Sequence, residues 1–206
     1  MAKIKWKGGA LTAPVPPAMI SCGSEEAGNS NIITIAWTGI VNTVPPKTYI
    51  SVRPSRHSYA IIKESGEFAI NLTPASLVKA ADYCGIYTGA KVNKFEKCGL
   101  TKEEASEISC PLIAESPLSL ECKVTDIIEL GSHHMFLADI VAVDVDEKLI
   151  NKEGKLCLEK AGLAAFAHGE YFALGEKLGY FGFSVKKKKK HPKKSKNNVF
   201  CAKCRK

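Results

Sequence analysis

No stretch of this 206-residue chain approaches the ~18 consecutive apolar residues that a membrane-spanning helix needs, and the opening MAKIKWKGGAL has basic residues without an apolar run behind them. A membrane helix and a secretory leader are therefore not expected, and a cytoplasmic location is. Two phosphate-binding motifs are also missing. There is no G-x-x-x-x-G-K-[ST] for a nucleoside triphosphate and no G-x-G-x-x-G for a tightly held dinucleotide. Internal repeats are absent, and from Lys186 to Lys206 there is no Asp or Glu. That last segment holds 11 of the 29 Lys and Arg, leaving 18 basic against 21 acidic residues before it, a net −3. The formal +8 therefore belongs to the tail, and the body offers no basic face for nucleic acid.

With 45% apolar residues the chain can bury one substantial core. One domain over residues 1–185, with residues 186–206 as an appendage, is the expected organisation. Eight cysteines would suit a disulfide scaffold only if the core were small. Cys22, Cys84, Cys98, Cys110, Cys122 and Cys157 are read as small apolar fillers of a reduced protein. Strand character recurs at 17–22, 31–37, 48–52, 67–72, 117–130 and 133–145, where β-branched residues and period-two alternation favour strands over helices. Most connections are too short for helical crossovers, so the fold is expected to be mainly β with short helices, an antiparallel barrel or sandwich. Four helices are expected: one capped by Ser55 and ended by Gly66, one over 74–84 closed by Gly85, one begun by the pair Thr101 and Glu104, and one over 159–167.

The stretch RPSRHSY (53–59) packs two arginines, a histidine and two serines between the strand TYISV and the first helix. Free backbone N–H groups at about residues 56–58 face whatever precedes the helix, Arg53 and Arg56 add charge, and Ser55 and Ser58 can donate to oxygen. This elbow suits a phosphate, and the missing motifs leave a mononucleotide as the attractive ligand. Plain capping by Ser55 with solvated arginines would explain the same residues. An aromatic wall with polar neighbours is available in NIITIAWTGIVNT, where Trp37 stands beside Thr38, Asn42 and Thr43; a core tryptophan beside turn residues is the alternative.

The ordered segments NIITIAWTGIVNTVPPKTYISVRPSRHSY, IKESGEFAINLTP, CGIYTGAKVNKFEKCGLT, HHMFLADIVAVDVDE and YFALGEKLGYFGFS resemble the flavin reductase-like, FMN-binding split-barrel family, within it most of all the flavoredoxins, over about residues 10–186. The resemblance implies an antiparallel split β-barrel, a homodimer, and FMN bound noncovalently. It implies cofactor contacts from Asn31, Trp37 and Thr38, from Arg53, Ser55, Arg56, His57 and Ser58, and from Lys94, His133 and Phe166; His134 competes with its neighbour for the place facing the flavin. It further implies that the flavin carries the redox chemistry, with no catalytic side chain required. Electrons would come from NADH or NADPH as transient donor, or from a redox partner protein, and free flavin could be the acceptor. Cys84, before Gly85, is read as a packing cysteine because a reactive thiolate needs a lowered pKa.

The tail is the part the resemblance does not cover. Its like charge predicts disorder, Cys201-x-x-Cys204 with His191 supplies an incomplete metal site, and no metal is expected. A barrel scaffold whose tail binds nucleic acid nonspecifically, or an acidic partner, is the alternative function. A chain ending at Val185 is expected to stay yellow and dimeric while losing affinity for polyanions. If about five phosphates are neutralised by the tail, raising salt from ~50 to ~200 mM weakens duplex DNA binding by the full chain several hundredfold. Loss of flavin on truncation would refute this division.

Overall fold

The structure, a computed structural model, describes residues 1–185. The tail with His191, Cys201 and Cys204 lies outside the described residues. A first compact unit spans Met1–Leu174. The second is described from Gly175 to Val185 and includes a 3₁₀ turn at Phe183–Val185, with the Tyr180 and Phe183 rings edge to face at 6.2 Å.

The six expected strands are all present, as β1 (Ala18–Cys22), β2 (Asn31–Ile35), β4 (Pro46–Val52), β5 (Glu67–Asn71), β8 (Leu118–Glu129) and β9 (His134–Val145). A further strand, β3 (Thr38–Thr43), occupies the stretch that reads as turn residues beyond Trp37. Together they form one antiparallel sheet in the order β2-β1-β5-β8-β9-β4-β3, which curls into a split half-barrel. Inward residues fill it with apolar side chains: Ala18 and Ile20 from β1, Ile33 and Ile35 from β2, Ile50 and Val52 from β4, Phe68 and Ile70 from β5, Phe136 and Ala138 from β9. The helix α1 (His57–Ser65) adds Tyr59, Ile61 and Ile62 to that core and stops at Gly66, which takes the left-handed conformation (φ 69°) that a side chain would resist.

Strands β1 and β2 are buried on both faces because α2 (Val78–Ile86) and α3 (Lys94–Cys98) cover the outer one. Met19, Ile32, Ala81, Cys84, Phe95 and Ile113 make that second layer. One polar residue joins the layers. Asn71 is fully buried; its Nδ2 donates to the Met19 carbonyl at 2.9 Å and to Ser21 Oγ at 3.0 Å. Its Oδ1 accepts from the Ile113 N–H at 3.0 Å and from Ser119 Oγ at 2.8 Å.

The helices differ from expectation in ways that have physical causes. Ser55 does not cap α1. The Arg56 N–H donates to the Arg53 carbonyl at 2.9 Å, forming a turn with Pro54 at its second position, and the cap moves to Arg56. Gly85 lies inside α2 rather than after it, on the face that packs on Thr34 of β2, where an added Cβ would make only an ordinary contact of 3.4 Å and nothing obliges the helix to stop. The helix from Thr101 does not form. Distant carboxylates take the N–H groups it would need: Glu115 holds Thr101, Glu121 holds Ser106 and Glu107, and Glu67 holds Ser109. The segment instead contributes β6 (Lys102–Glu103), paired with β7 (Leu112–Ile113). The alanine-rich 159–167 gives a short 3₁₀ turn and then β10 (Ala164–Ala167), paired with β11 (Glu170–Ala173) across a two-residue turn. Both turn residues, His168 (φ 50°) and Gly169 (φ 91°), have the positive φ of a tight hairpin.

All six described cysteines are free. No described helix is long and apolar enough to cross a membrane.

Replacing Asn71 by Ala would orphan two buried donors and two buried acceptors. Asn71→Ala is expected to lower stability by ~2–4 kcal/mol, read as a fall in urea midpoint with unchanged slope.

Candidate functional site

The split in the half-barrel lies between β2 and the end of β4. The ladder of β3 on β4 runs back to Trp37, whose carbonyl accepts the Ser51 N–H at 2.9 Å, and from there β2 diverges. Two cavities occupy the gap. One, of about 220 Å³, is lined by Asn31, Arg53, Ser55, Arg56, His57, Ser58 and Lys94. The other, of about 330 Å³, runs along Ile33–Trp37 and reaches Ser51, Val52 and His133. Ile33, Arg53 and Arg56 line both, so the two form a single cleft.

Its floor is buried and polar. Asn31 Nδ2 donates to Ser58 Oγ at 2.8 Å, both residues being almost fully buried. Lys94 is equally buried; its ammonium donates to the Ile32 carbonyl at 2.6 Å and the Cys84 carbonyl at 2.8 Å, which leaves one of its three protons. Burial pulls the Lys94 ammonium below the ordinary lysine range, and Arg56 adds to this. Arg53, Ser55, Arg56 and His57 are exposed at the rim. The His57 and Ser58 N–H groups are those that the first turn of a helix leaves without an acceptor along the chain. That of Arg56, expected to join them, is already bonded to Arg53. Among the described residues no Asp or Glu lines either cavity, so the cations of the cleft have no counter-charge there.

The two histidines of the doublet face different ways. His134 pairs with Val52 in the sheet, and its Nδ1 meets the Tyr59 hydroxyl at 2.8 Å. His133 points the other way, into the cleft; burial and the charges of Arg53 and Arg56 hold its imidazole below the ordinary range and therefore neutral. Trp37, 38% exposed, walls the second cavity and also an apolar one of about 620 Å³ shared with Phe166 and residues 10–13. Phe166 is thus joined to the cleft only through Trp37. Thr38 lines none of the three cavities; its hydroxyl donates to the Tyr49 carbonyl at 2.6 Å.

The loop Tyr87-Thr88-Gly89 closes the first cavity and was not among the expected residues. Gly89 lies so close to Asn31 that an added Cβ would stand 2.1 Å from Asn31 Oδ1. The glycine of YTG between a helix and KVNKFEK was the available sign of a close approach.

A donor-lined, acid-free floor fits a phosphate monoester, and the adjoining slot beside an indole fits a planar ring. A half-barrel split along one seam, with such a cleft in the seam, defines the split-barrel class. The chain belongs to the flavin reductase like domain family, whose model matches residues 11–175. It is similar to the flavoredoxin of Desulfovibrio vulgaris (Miyazaki F), with 31% identity and a TM-score of 0.83 over 90% of this chain and 100% of that one. It is also similar to a flavoredoxin from Methanosarcina acetivorans, with 28% identity and a TM-score of 0.79 over the same shares, 90% and 100%. An uncharacterized protein of Archaeoglobus fulgidus is 32% identical over 142 residues, 69% of this chain and 77% of that relative.

Gly89→Ala would push Asn31 off Ser58. The expected result is an intact fold with FMN affinity at least about tenfold lower, the loss of one charge-assisted hydrogen bond, measured by quenching of flavin fluorescence. Unchanged affinity would remove the Asn31–Ser58 pair from the site.

Proposed function

We propose that the protein binds FMN noncovalently in this cleft and works as an oxidoreductase of the flavin reductase or flavoredoxin kind. One observation carries the reading: buried Asn31, Ser58 and Lys94, with Arg53 and Arg56 above them, converge on a cavity that contains no carboxylate and opens along Trp37. Membership of the family and the likeness to two flavoredoxins support it.

When bound, FMN supplies the electron-transfer chemistry. The chain's own residues bind and orient it. Arg53, Arg56, Ser58 and the helix start hold the phosphate dianion, where each charge-assisted bond is worth ~1.5–3 kcal/mol. Lys94 would donate its remaining N–H to the same oxygens. Trp37 shields one side of the ring, and neutral His133 offers a hydrogen bond without adding charge. FAD is disfavoured, since a second phosphate and an adenosine have no evident receptor.

NADH or NADPH serves as transient donor at the open face, or a protein partner delivers the electrons. Exposed Ile40, Val141 and Val143 on β3 and β9 support a homodimer. Free cysteines support a reducing, cytoplasmic setting.

Acid release from the purified protein should yield FMN, identified by mass, at one per chain; FAD alone, or no flavin after expression with ample riboflavin, sinks the proposal. The double variant Arg56→Ala, Ser58→Ala removes two phosphate donors at a cost of ~2–4 kcal/mol, about a hundredfold in FMN affinity. Riboflavin, without the phosphate, should lose much less than FMN, only what the broken Asn31–Ser58 bond costs the cleft. Equal losses for the two ligands would place the phosphate elsewhere.

A further inference from the structure

Cys84 and Cys98 meet where α2 and α3 pack together, their sulfurs 3.9 Å apart. The two thiols differ in access. Cys84 is fully buried, whereas Cys98 is half-buried and lines an outer groove beside Tyr83, Ile86 and Tyr87. Both are tied to the cleft. Lys94 and Cys98 stand four residues apart on the single turn of α3 and so share a face, and the Lys94 ammonium donates to the Cys84 carbonyl at 2.8 Å.

The geometry points to a redox-modification site: Cys84 and Cys98 close reversibly into a disulfide that shifts Lys94 in the cleft wall and so lowers the cleft's affinity for an anion. The site itself stands on the sulfur geometry; its effect on a ligand rests on the flavin reading given above.

The oxidant is a dialkyl disulfide. The Cys98 thiolate attacks one of its sulfurs, the oxidant's S–S bond breaks, and one thiol leaves with a proton. Cys84 then attacks the Cys98 sulfur, the mixed disulfide breaks, and the second thiol leaves with the proton from Cys84. The two protein thiols have lost two electrons and two protons, and the oxidant has gained them as two thiols. Closure brings the sulfurs from 3.9 Å to about 2.05 Å. The five-residue α3 is the shorter element and the one that yields, straining the Lys94 bond to the Ile32 carbonyl at 2.6 Å, because the nine-residue α2 is also fastened to β2 by the Thr34 hydroxyl on the Ala81 carbonyl at 2.5 Å. Burial pushes the Cys84 thiol up to about 12, so closure is the slow step and accelerates as pH rises.

The test equilibrates the full chain in mixtures of oxidised and reduced glutathione, traps free thiols by alkylation, and maps the peptides. A linked Cys84–Cys98 peptide is expected, its yield following the glutathione ratio and vanishing with dithiothreitol. Cys98→Ser and Cys84→Ala should each abolish it, and the first keeps the buried position intact if the second disturbs folding. FMN should bind the oxidised protein about tenfold more weakly, the loss of one charge-assisted hydrogen bond, and bind Cys98→Ser with no redox dependence. No linked peptide at the most oxidising ratio overturns the site. A linked peptide with unchanged FMN affinity overturns the coupling through Lys94. If FMN binds in neither state, the flavin reading falls and the coupling with it, while a mapped disulfide upholds the redox site.

Discussion

The 2.8 Å hydrogen bond from Asn31 to Ser58 joins two elements that the sheet itself leaves apart, the edge strand β2 and the first turn of α1. The residues are 27 positions apart in sequence, and the bond is buried, so breaking it would strand an amide and a hydroxyl without water. Much of the cleft is arranged around it. Gly89 must lack a side chain so that Asn31 can stay in place, Lys94 reaches past it to the Ile32 carbonyl, and the elbow of Arg53 to Ser58 is held against the strand it faces.

That tie lets the barrel stay open along one seam and remain stable. An unpaired edge strand normally invites another strand, yet β2 is buried on both faces, by the half-barrel core within and by α2 and α3 outside. Its free side is the cleft wall. The seam ends where Ser51 bonds the Trp37 carbonyl, which sets how far along the barrel a ring can lie. Packing on the far side of β2 therefore fixes the shape of the cleft on the near side, and α3 carries both Phe95 for that packing and Lys94 for the cleft.

The strands and the elbow were legible in the sequence because their causes are local. Ile20, Ile33, Ile50 and Phe68 stand in β-rich runs whose burial needs no distant partner to be read, and RPSRHSY carries its charges side by side. The misread helices share the opposite property. At 101–109 the capping pattern was real in sequence, yet Glu67, Glu115 and Glu121, distant in the chain, hold the backbone N–H groups more firmly than a local serine or threonine would. At 164–167 an alanine-rich run became a strand because β11 offers it a ladder on one side and Val15 a bridge to Phe166 on the other. His168–Gly169 was the one local sign of the hairpin, and Pro54 the one local sign that α1 would start a residue later than Ser55 implies.

The electrostatics of the cleft follow from burial more than from the inventory of charges. The body as a whole is net −3 before the tail, and still the cleft is cationic, because Arg53, Arg56 and Lys94 line it and no described Asp or Glu does. The groups nearest Lys94 that could have neutralised it are thiols, and burial pushes Cys22 and Cys84 each up to about 12, well above physiological pH. They stay protonated and uncharged. A lysine held among neutral thiols, with two carbonyls as its acceptors, keeps an uncompensated part of the cost of its own desolvation, and a dianion entering above it relieves that part. The cleft thus carries a preference for negative charge that no single residue of the elbow would supply alone.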